Sequence, residues 1–148
     1  MQIPFRSFIS PPSRMTALCV SLVLPSSFVS AGSLVGGTAT VNNGDAIESW
    51  FLTQNATLNI NNAQTLGINA DSSRANISAG SSTREISVSD SSTLSIDGAT
   101  VTGTNGQSGL LLISSQGNVN NSTVSGEEFG ASAVRFSTAQ AGSILNIT

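Results

Sequence analysis

Short apolar doublets recur through the second half of the chain. The pairs Ile86/Val88 and Leu94/Ile96 each flank one polar residue. This period of two is typical of a β-strand with one buried face. Doublets like Ile86/Val88 return downstream at Leu110/Leu112 and Val134/Phe136. Doublets like Leu94/Ile96 return at Val119/Asn121 and Leu145/Ile147, although Asn121 replaces an apolar residue. The pattern predicts an all-β chain built from short strands.

The doublets return at a nearly constant spacing. The step from Ile86 to Leu110 is 110 − 86 = 24, and the step from Leu110 to Val134 is 134 − 110 = 24. In the second series, Leu94, Val119 and Leu145 follow at 119 − 94 = 25 and 145 − 119 = 26. A fixed period of roughly 20 to 50 residues indicates a stacked repeat, in which each repeat buries its apolar face on its neighbours. The chain is therefore predicted to form a parallel β-helix, or β-solenoid, of about four coils.

The same doublets occur upstream at a greater distance. The pairs Trp50/Leu52 and Leu58/Ile60 precede their next copies by 86 − 50 = 36 and 94 − 58 = 36. This step exceeds the period by 36 − 24 = 12. A surface loop absorbs such a length at small entropic cost. We therefore expect an insertion loop near residues 71–82, where Ser, Gly and Asn accumulate.

The polar residue at the middle of each doublet is expected to point outward. In the second series these residues should form a surface ladder of hydrogen-bonded side chains, namely Asn59, Ser95, Asn120 and Asn146. In the first series the outward positions are Phe51, Ser87, Leu111 and Arg135. Trp50 is expected to pack over or under the first coil rather than to stack on a ligand. Residues 32–43 are expected to form a first strand and part of an N-terminal cap.

The N-terminus has the three-part pattern of a secretory signal peptide. Residues 1–14 contain two arginines and no acid, residues 15–24 are apolar, and Val29-Ser30-Ala31 places small residues at positions −3 and −1 of a cleavage site. The apolar run is too short for a membrane span, which needs about 20 residues. We therefore predict a signal peptide over residues 1–31, cleaved after Ala31, and a single β-helix domain over residues 32–148.

Removal of the signal peptide changes the available chemistry. The remaining chain contains no Cys, His, Lys or Tyr, and its three arginines and eight acids give a net charge of 3 − 8 = −5. An acidic chain lacks the basic surface that nucleic-acid binding requires. Ser-His-Asp and Cys-His catalysis, and the usual zinc and copper sites, lack their residues. No catalytic, cofactor or metal site is predicted.

Several segments of the repeat region resemble the passenger region of bacterial autotransporters of the pertactin-like kind. The resemblance covers most of residues 36–148, and its motifs are residues 92–103, 109–113, 121–126, 133–136 and 142–148. It implies a right-handed parallel β-helix, displayed on or released from a Gram-negative cell by a C-terminal outer-membrane β-barrel of the same full-length protein. It also implies a non-enzymatic adhesin or stalk, with a host-surface protein or glycan as partner. The Arg-Gly-Asp tripeptide of some such adhesins is missing, and the end at Thr148, inside a predicted strand, suggests a fragment.

Two other functions remain open at the level of the sequence. A carbohydrate-active β-helix of the pectin lyase-like kind would use outward charged residues, and the candidates are Asp90, Asp97 and Arg135. These three belong to different columns and are not expected to converge. A eukaryotic secreted glycoprotein is the other alternative, because N-glycosylation triplets begin at Asn55, Asn76, Asn120, Asn121 and Asn146.

Overall fold

The computed structural model describes residues 31–127, 130–134 and 143–148, with only the main chain for residues 132–134. The described residues form fifteen β-strands. They are β1 Ala31–Val35, β2 Thr38–Asn42, β3 Ser49–Thr53, β4 Thr57–Asn61, β5 Gly67–Asp71, β6 Arg74–Ile77, β7 Ser82–Thr83, β8 Glu85–Ser89, β9 Thr93–Asp97, β10 Thr100–Thr102, β11 Leu110–Ile113, β12 Gln116–Asn120, β13 Thr123–Ser125, β14 Ala131–Val134 and β15 Ile144–Ile147.

Consecutive strands belong to different sheets, which makes the chain a solenoid. Sheet 1 has the order β1-β3-β5-β8-β11-β14, sheet 2 the order β15-β12-β9-β6-β4-β2, and sheet 3 the order β13-β10-β7. Neighbouring strands in all three sheets are parallel. The chain therefore winds through about five coils of a parallel β-helix, and the predicted fold class is confirmed.

The apolar doublets fill the interior of the solenoid. In sheet 1, Ile68 pairs with Ile86 and Ile86 with Leu110, and each is at most 3% exposed. In sheet 2, Ile60 pairs with Ile77, which pairs with Ile96. Every coil thus adds a layer of buried aliphatic side chains. Full burial of one such side chain stabilises the fold by roughly 1.5–3 kcal/mol.

Small polar residues form the corner between sheets 1 and 2. At least one residue at this corner has a left-handed backbone in each of four successive coils, including Asn55, Ser72, Ser91 and Ser114. Asn tolerates this conformation well, and a serine hydroxyl supports turns through local hydrogen bonds. Just inside the corner, Ser92 is buried, its hydroxyl donates to the carbonyl oxygen of Ala70 at 3.1 Å, and it accepts from the amide of Ser73 at 3.0 Å. Serine is frequent here because buried backbone groups at the corner need hydroxyl partners.

The predicted insertion loop near residues 71–82 is wrong. This region contains β6 and β7, and with β5 it completes an additional coil. Trp50 pairs with Ile68 and Ile68 with Ile86, so the long upstream step is two short coils, with 68 − 50 = 18 and 86 − 68 = 18. The hydrophobic pattern conceals the additional coil because Ala70 and Ala75, both fully buried, stand where the adjacent coils have Leu or Val.

The predicted register also fails in the last coils. Val134 pairs with Ile113, and Leu110 pairs instead with Ala131. Val119 pairs with Ile96 and not with Leu94. The partner of Leu94, and of Leu145, is a glycine of the strand between them, Gly117.

Gly117 occupies an apolar column because its neighbours fill the space. A Cβ atom added there would lie 2.8 Å from Cδ2 of Leu112 and 3.3 Å from Cδ1 of Leu145. A glycine that stands for an apolar residue cannot be recognised from hydrophobic spacing. Phe136 and the predicted signal peptide, except Ala31 in β1, lie outside the described residues. Residues 32–43 form β1 and β2 in two different sheets rather than one strand.

Candidate functional site

A groove runs across the outer face of sheet 1. It encloses about 260 Å³. Its lining consists of Ser49, Trp50, Phe51, Gly67, Ile68, Asn69, Glu85, Ile86, Ser87, Gln107, Ser108 and Leu111. These residues come from four adjacent strands, β3, β5, β8 and β11, and from the loop before β11. The groove therefore crosses the strands rather than following one of them.

Strand register places the outward side chains of the groove in two rows. One row is Phe51, Asn69, Ser87 and Leu111, and the other is Ser49, Gly67 and Glu85. Adjacent strands lie about 4.8 Å apart, so Phe51 and Leu111 mark the two ends of a floor about 14 Å long. Gly67 deepens the middle of the floor. A Cβ atom there would lie 3.4 Å from Cγ of Glu85.

The groove combines one large apolar side chain with several hydrogen-bonding groups. Phe51 is 48% exposed, and Leu111 is half-buried. Asn69, Glu85 and Gln107 are exposed, so an amide, a carboxylate and a second amide face solvent. A concave site that mixes apolar surface with a few placed polar groups is typical of ligand binding.

Trp50 lies behind the floor of the groove. Its ring packs on Gly32, whose added Cβ atom would meet the ring at 2.8 Å, so the predicted packing on the first coil is confirmed. Its indole Nε1 is buried and has no hydrogen-bond partner among the described residues. Trp50 is the only tryptophan of the chain. Its fluorescence therefore comes from a single side chain behind the floor of the groove.

The loop of residues 103–109 forms the wall of the groove. The amide of Gln107 donates to the carbonyl oxygen of Thr104 at 3.2 Å, which closes a tight turn. Asn105 and Gly106, at the tip, both have left-handed backbones. Beside the wall, a second hollow of about 400 Å³ shares Ser49, Glu85 and Gln107 with the groove.

A carboxylate in the next coil holds the tip of this wall. Asn105 donates its amide to Oε1 of Glu127 at 3.1 Å, and Gly106 donates its amide to Oε2 at 2.6 Å. Hydrogen bonds to a charged acceptor are about twice as strong as neutral ones. Glu127 therefore fixes the position of Gln107 and Ser108, which face the groove.

The charged residues considered from the sequence lie elsewhere. Asp90 is an exposed turn residue between β8 and β9. Asp97 lies at the end of β9, beside Asn120 of sheet 2, and neither residue lines the groove. Arg135 lies outside the described residues. Within the described ranges, no three His, Cys, Asp or Glu residues are grouped so as to hold a metal ion.

The outward ladder on sheet 2 exists, with one predicted member wrong. Its register aligns Asn59, Asn76, Ser95, Asn118 and Asn146. Nδ2 of Asn76 donates to Oδ1 of Asn59 at 2.9 Å, and Nδ2 of Asn146 donates to Oδ1 of Asn118 at 2.9 Å. Asn120 lies in the next column, because the register of β12 differs from the predicted one by two positions. The amides bond in two separate pairs on either side of Ser95, and this bonding gives the column a structural role.

Sequence reasoning gave the outward direction of Phe51 and Leu111 but not the groove between them. The floor of the groove comes from one set of coils and its wall from the next coil. The floor and the wall come together only when the strands are paired in the correct register. The polar composition of residues 104–108 indicates a loop but does not indicate that the loop lies beside sheet 1.

Comparisons with known proteins give this chain no relative. No protein-family model matches it, and neither does any curated protein or solved structure. In the part of the chain that the structure describes, no helix has the length and apolarity needed to cross a membrane.

Proposed function

We propose that this chain is the β-helical passenger module of a pertactin-like autotransporter, and that it acts as a surface adhesin. A signal peptide over residues 1–31 would direct its export, and a C-terminal outer-membrane β-barrel of the full-length protein would be its partner in display. Its host partner would be a surface protein or a glycan. Support comes from the parallel β-solenoid and from the sequence segments that resemble such passengers.

The groove on sheet 1 favours an adhesin over a stalk. A stalk requires only coils that stack, and stacking is provided by the buried columns and the paired strands. The half-exposed ring of Phe51, beside the exposed Asn69 and Glu85, contributes little to stacking. An exposed aromatic side chain in a concave polar site is the kind of anchor that binding interfaces use.

The pectin lyase-like alternative has less support. Acid–base cleavage of a polysaccharide requires at least two titratable groups that converge on one bond. Among the described residues that line the groove, Glu85 is the only titratable one. Asp90 and Asp97 lie at other positions on the solenoid.

Surface display and adhesion test the proposal together. The complete natural gene would be expressed in its bacterial host, and intact cells would be probed with antibodies raised against residues 32–148. The expected result is labelling of intact cells and binding of these cells to cultured epithelial cells. A protein found only inside the cells would contradict the export proposal.

A matched pair of variants tests whether the groove is the adhesive surface. Phe51→Ala removes the exposed ring of the groove, and Thr100→Ala changes an exposed residue on sheet 3. Phe51→Ala should reduce adhesion at an unchanged level of surface display, and Thr100→Ala should not. Display with equal adhesion by both variants would leave a stalk as the function.

A further inference from the structure

The sheet beneath the groove has no free main-chain groups to offer to a ligand. The amide of Leu66 donates to the carbonyl oxygen of Glu48 at 3.0 Å, and that of Ile86 donates to the carbonyl oxygen of Gly109 at 2.9 Å. Between these points the register pairs β3, β5, β8 and β11 continuously. A peptide that binds as an added strand needs an unpaired sheet edge. The groove must therefore recognise its ligand through side chains.

The outward row of the groove has apolar side chains at its two ends and hydrogen-bonding side chains between them. Phe51 presents a ring at one end and Leu111 an aliphatic group at the other, with Asn69 and Ser87 between them in the same row. Asn69 can donate and accept hydrogen bonds, and so can Ser87. Such a row suits a ligand that repeats an apolar face and several hydroxyl groups in each unit.

The charge of the groove restricts the class of ligand further. Glu85 is exposed, it is the only charged residue among those that line the groove, and no ion-pair partner for it is present among the described residues. The adjoining hollow also carries the exposed Arg84, so the exclusion of anions applies to the groove itself. A carboxylate accepts hydrogen bonds from hydroxyl groups and repels anions. Sulfated, phosphorylated and sialylated ligands are therefore disfavoured.

We propose that the groove binds a chain of neutral sugars, with a sugar ring stacked on Phe51 and sugar hydroxyls hydrogen-bonded to Glu85, Asn69 and Gln107. This inference rests on the proposed adhesive function and names its ligand class. Glu127 is a positioning residue of the site, because its carboxylate holds the tip of the wall that carries Gln107. The binding site thus depends on Glu127, a residue of the next coil that does not itself line the groove.

The binding experiment uses the purified full chain and an immobilised panel of neutral, sialylated and uronic-acid oligosaccharides. Binding is expected to neutral members only, and it should be nearly independent of salt because the ligand is uncharged. Phe51→Ala should weaken binding about tenfold, the scale of one lost aromatic contact. Glu85→Gln should weaken binding less, because the amide oxygen still accepts a hydrogen bond.

Trp50 fluorescence tests the wall without any ligand. Glu127→Ala should increase quenching of Trp50 by acrylamide and weaken sugar binding, since the tip of the loop loses both of its hydrogen bonds to the carboxylate. Asp45→Ala is the matched control. Its carboxylate also holds a turn amide, with Oδ2 accepting from Asn42 at 2.7 Å, but it does not line the groove. This control should leave both readouts unchanged.

The outcomes separate this inference from the proposed function. Adhesion of intact cells without binding to any neutral oligosaccharide would overturn the sugar ligand and leave the adhesin in place. Binding that Glu85→Gln abolishes, or that high salt abolishes, would show a cationic ligand and also overturn it. Unchanged Trp50 quenching in Glu127→Ala would remove the positioning role. Absence of both display and adhesion would contradict the proposed function itself.

Discussion

The coils before Ile86 and those after it differ in length, although their strands pair in the same way. Trp50, Ile68 and Ile86 follow one another in register at equal steps, 68 − 50 = 86 − 68 = 18, whereas Leu110 pairs with Ile86 at 110 − 86 = 24. In the first long coil, from Ile86 to Leu110, the additional residues all lie at one corner. From Thr83 to Ile86 the chain passes from sheet 3 to sheet 1 in three residues, and the step from Val101 to Leu110 takes nine. A solenoid can thus lengthen a single corner without disturbing its sheets.

This difference in length creates the groove. The short coils leave the outer face of sheet 1 open, because their corner between sheets 3 and 1 is too short to project. The first long coil places residues 103–109 beside that face. Its neighbour then supplies Glu127 to hold the tip. The candidate site lies where regular coils meet irregular ones.

The largest effect on stability is expected from a charge in the shared apolar column. Leu110 is fully buried between the short and long coils, beside Ile86. Leu110→Asp would bury an unpaired carboxylate and should lower the free energy of unfolding by at least about 3 kcal/mol. Leu111→Asp, which faces the groove, should cost less than about 1 kcal/mol. Thermal melts followed by circular dichroism would measure both, and equal losses would mean that the inward and outward columns are wrongly assigned.

Deletion of one coil tests whether the coils are equivalent structural units. Removal of residues 67–84 takes out one short coil and brings Trp50 into register with Ile86. The shortened chain should still unfold cooperatively, at a lower midpoint temperature, because it loses one coil and one interface. Removal of residues 86–109 deletes the first long coil and should lower the midpoint by a similar amount. A chain that unfolds entirely after only one of these deletions would show that short and long coils are not equivalent.

The asparagine ladder should contribute more in the short coils than in the long ones. Asn76 is half-buried and bonded to Asn59, whereas Asn146 is exposed and bonded to Asn118. Asn76→Ala should cost about 1 kcal/mol, since it also leaves an amide oxygen of Asn59 without its donor. Asn146→Ala should cost less, because water replaces the lost partner. Urea denaturation would rank the two variants, and the opposite ranking would contradict the role of burial.

The smallest effect on stability is expected from shortening the wall. Deletion of residues 103–108 shortens the step from Ile86 to Leu110 by six residues, so that it equals the 18-residue step of the short coils. A shorter loop lowers the entropic cost of closure. This gain offsets the lost hydrogen bond from the Gly103 amide to the Ser125 carbonyl oxygen, 2.8 Å long. The amides of Asn105 and Gly106 are removed as well, and water replaces them at the exposed carboxylate of Glu127. The net change in stability should stay below about 1 kcal/mol, while quenching of Trp50 by acrylamide rises. Unfolding of this variant would show that the long corner is needed for the fold.

The fold was predictable because the strand period and the coil period are both hydrophobic signals. Ile86/Val88 and Leu94/Ile96 are buried doublets in neighbouring sheets, as their alternation predicted. The predicted strand register is wrong where a small residue stands in a buried apolar column. Ala75 concealed a whole coil, and a glycine in the column of Leu94 shifted the alignment of the last strands.

The candidate site was less predictable than the fold, for a geometric reason. Its floor and its wall are separated by a full coil in sequence, so they meet only when the register is correct. The anchor of the wall is a pair of hydrogen bonds from main-chain amides to Glu127, and main-chain donors leave no trace in the sequence. Phe51 was identified as outward-facing, but nothing in its local pattern distinguished a binding surface from solvated surface.

The short coils also determine how the chain can fold. Each strand of these coils bonds to strands one coil away, as Trp50, Ile68 and Ile86 do. Added coils lengthen the chain but not the loops that must close, so the entropic cost of each step stays nearly constant. Short coils close the smallest loops, and we expect residues 49–97 to form the folding nucleus onto which the longer coils add. Pulsed hydrogen exchange during refolding would test this order, and earlier protection of β11 and β12 than of β5 and β6 would contradict it.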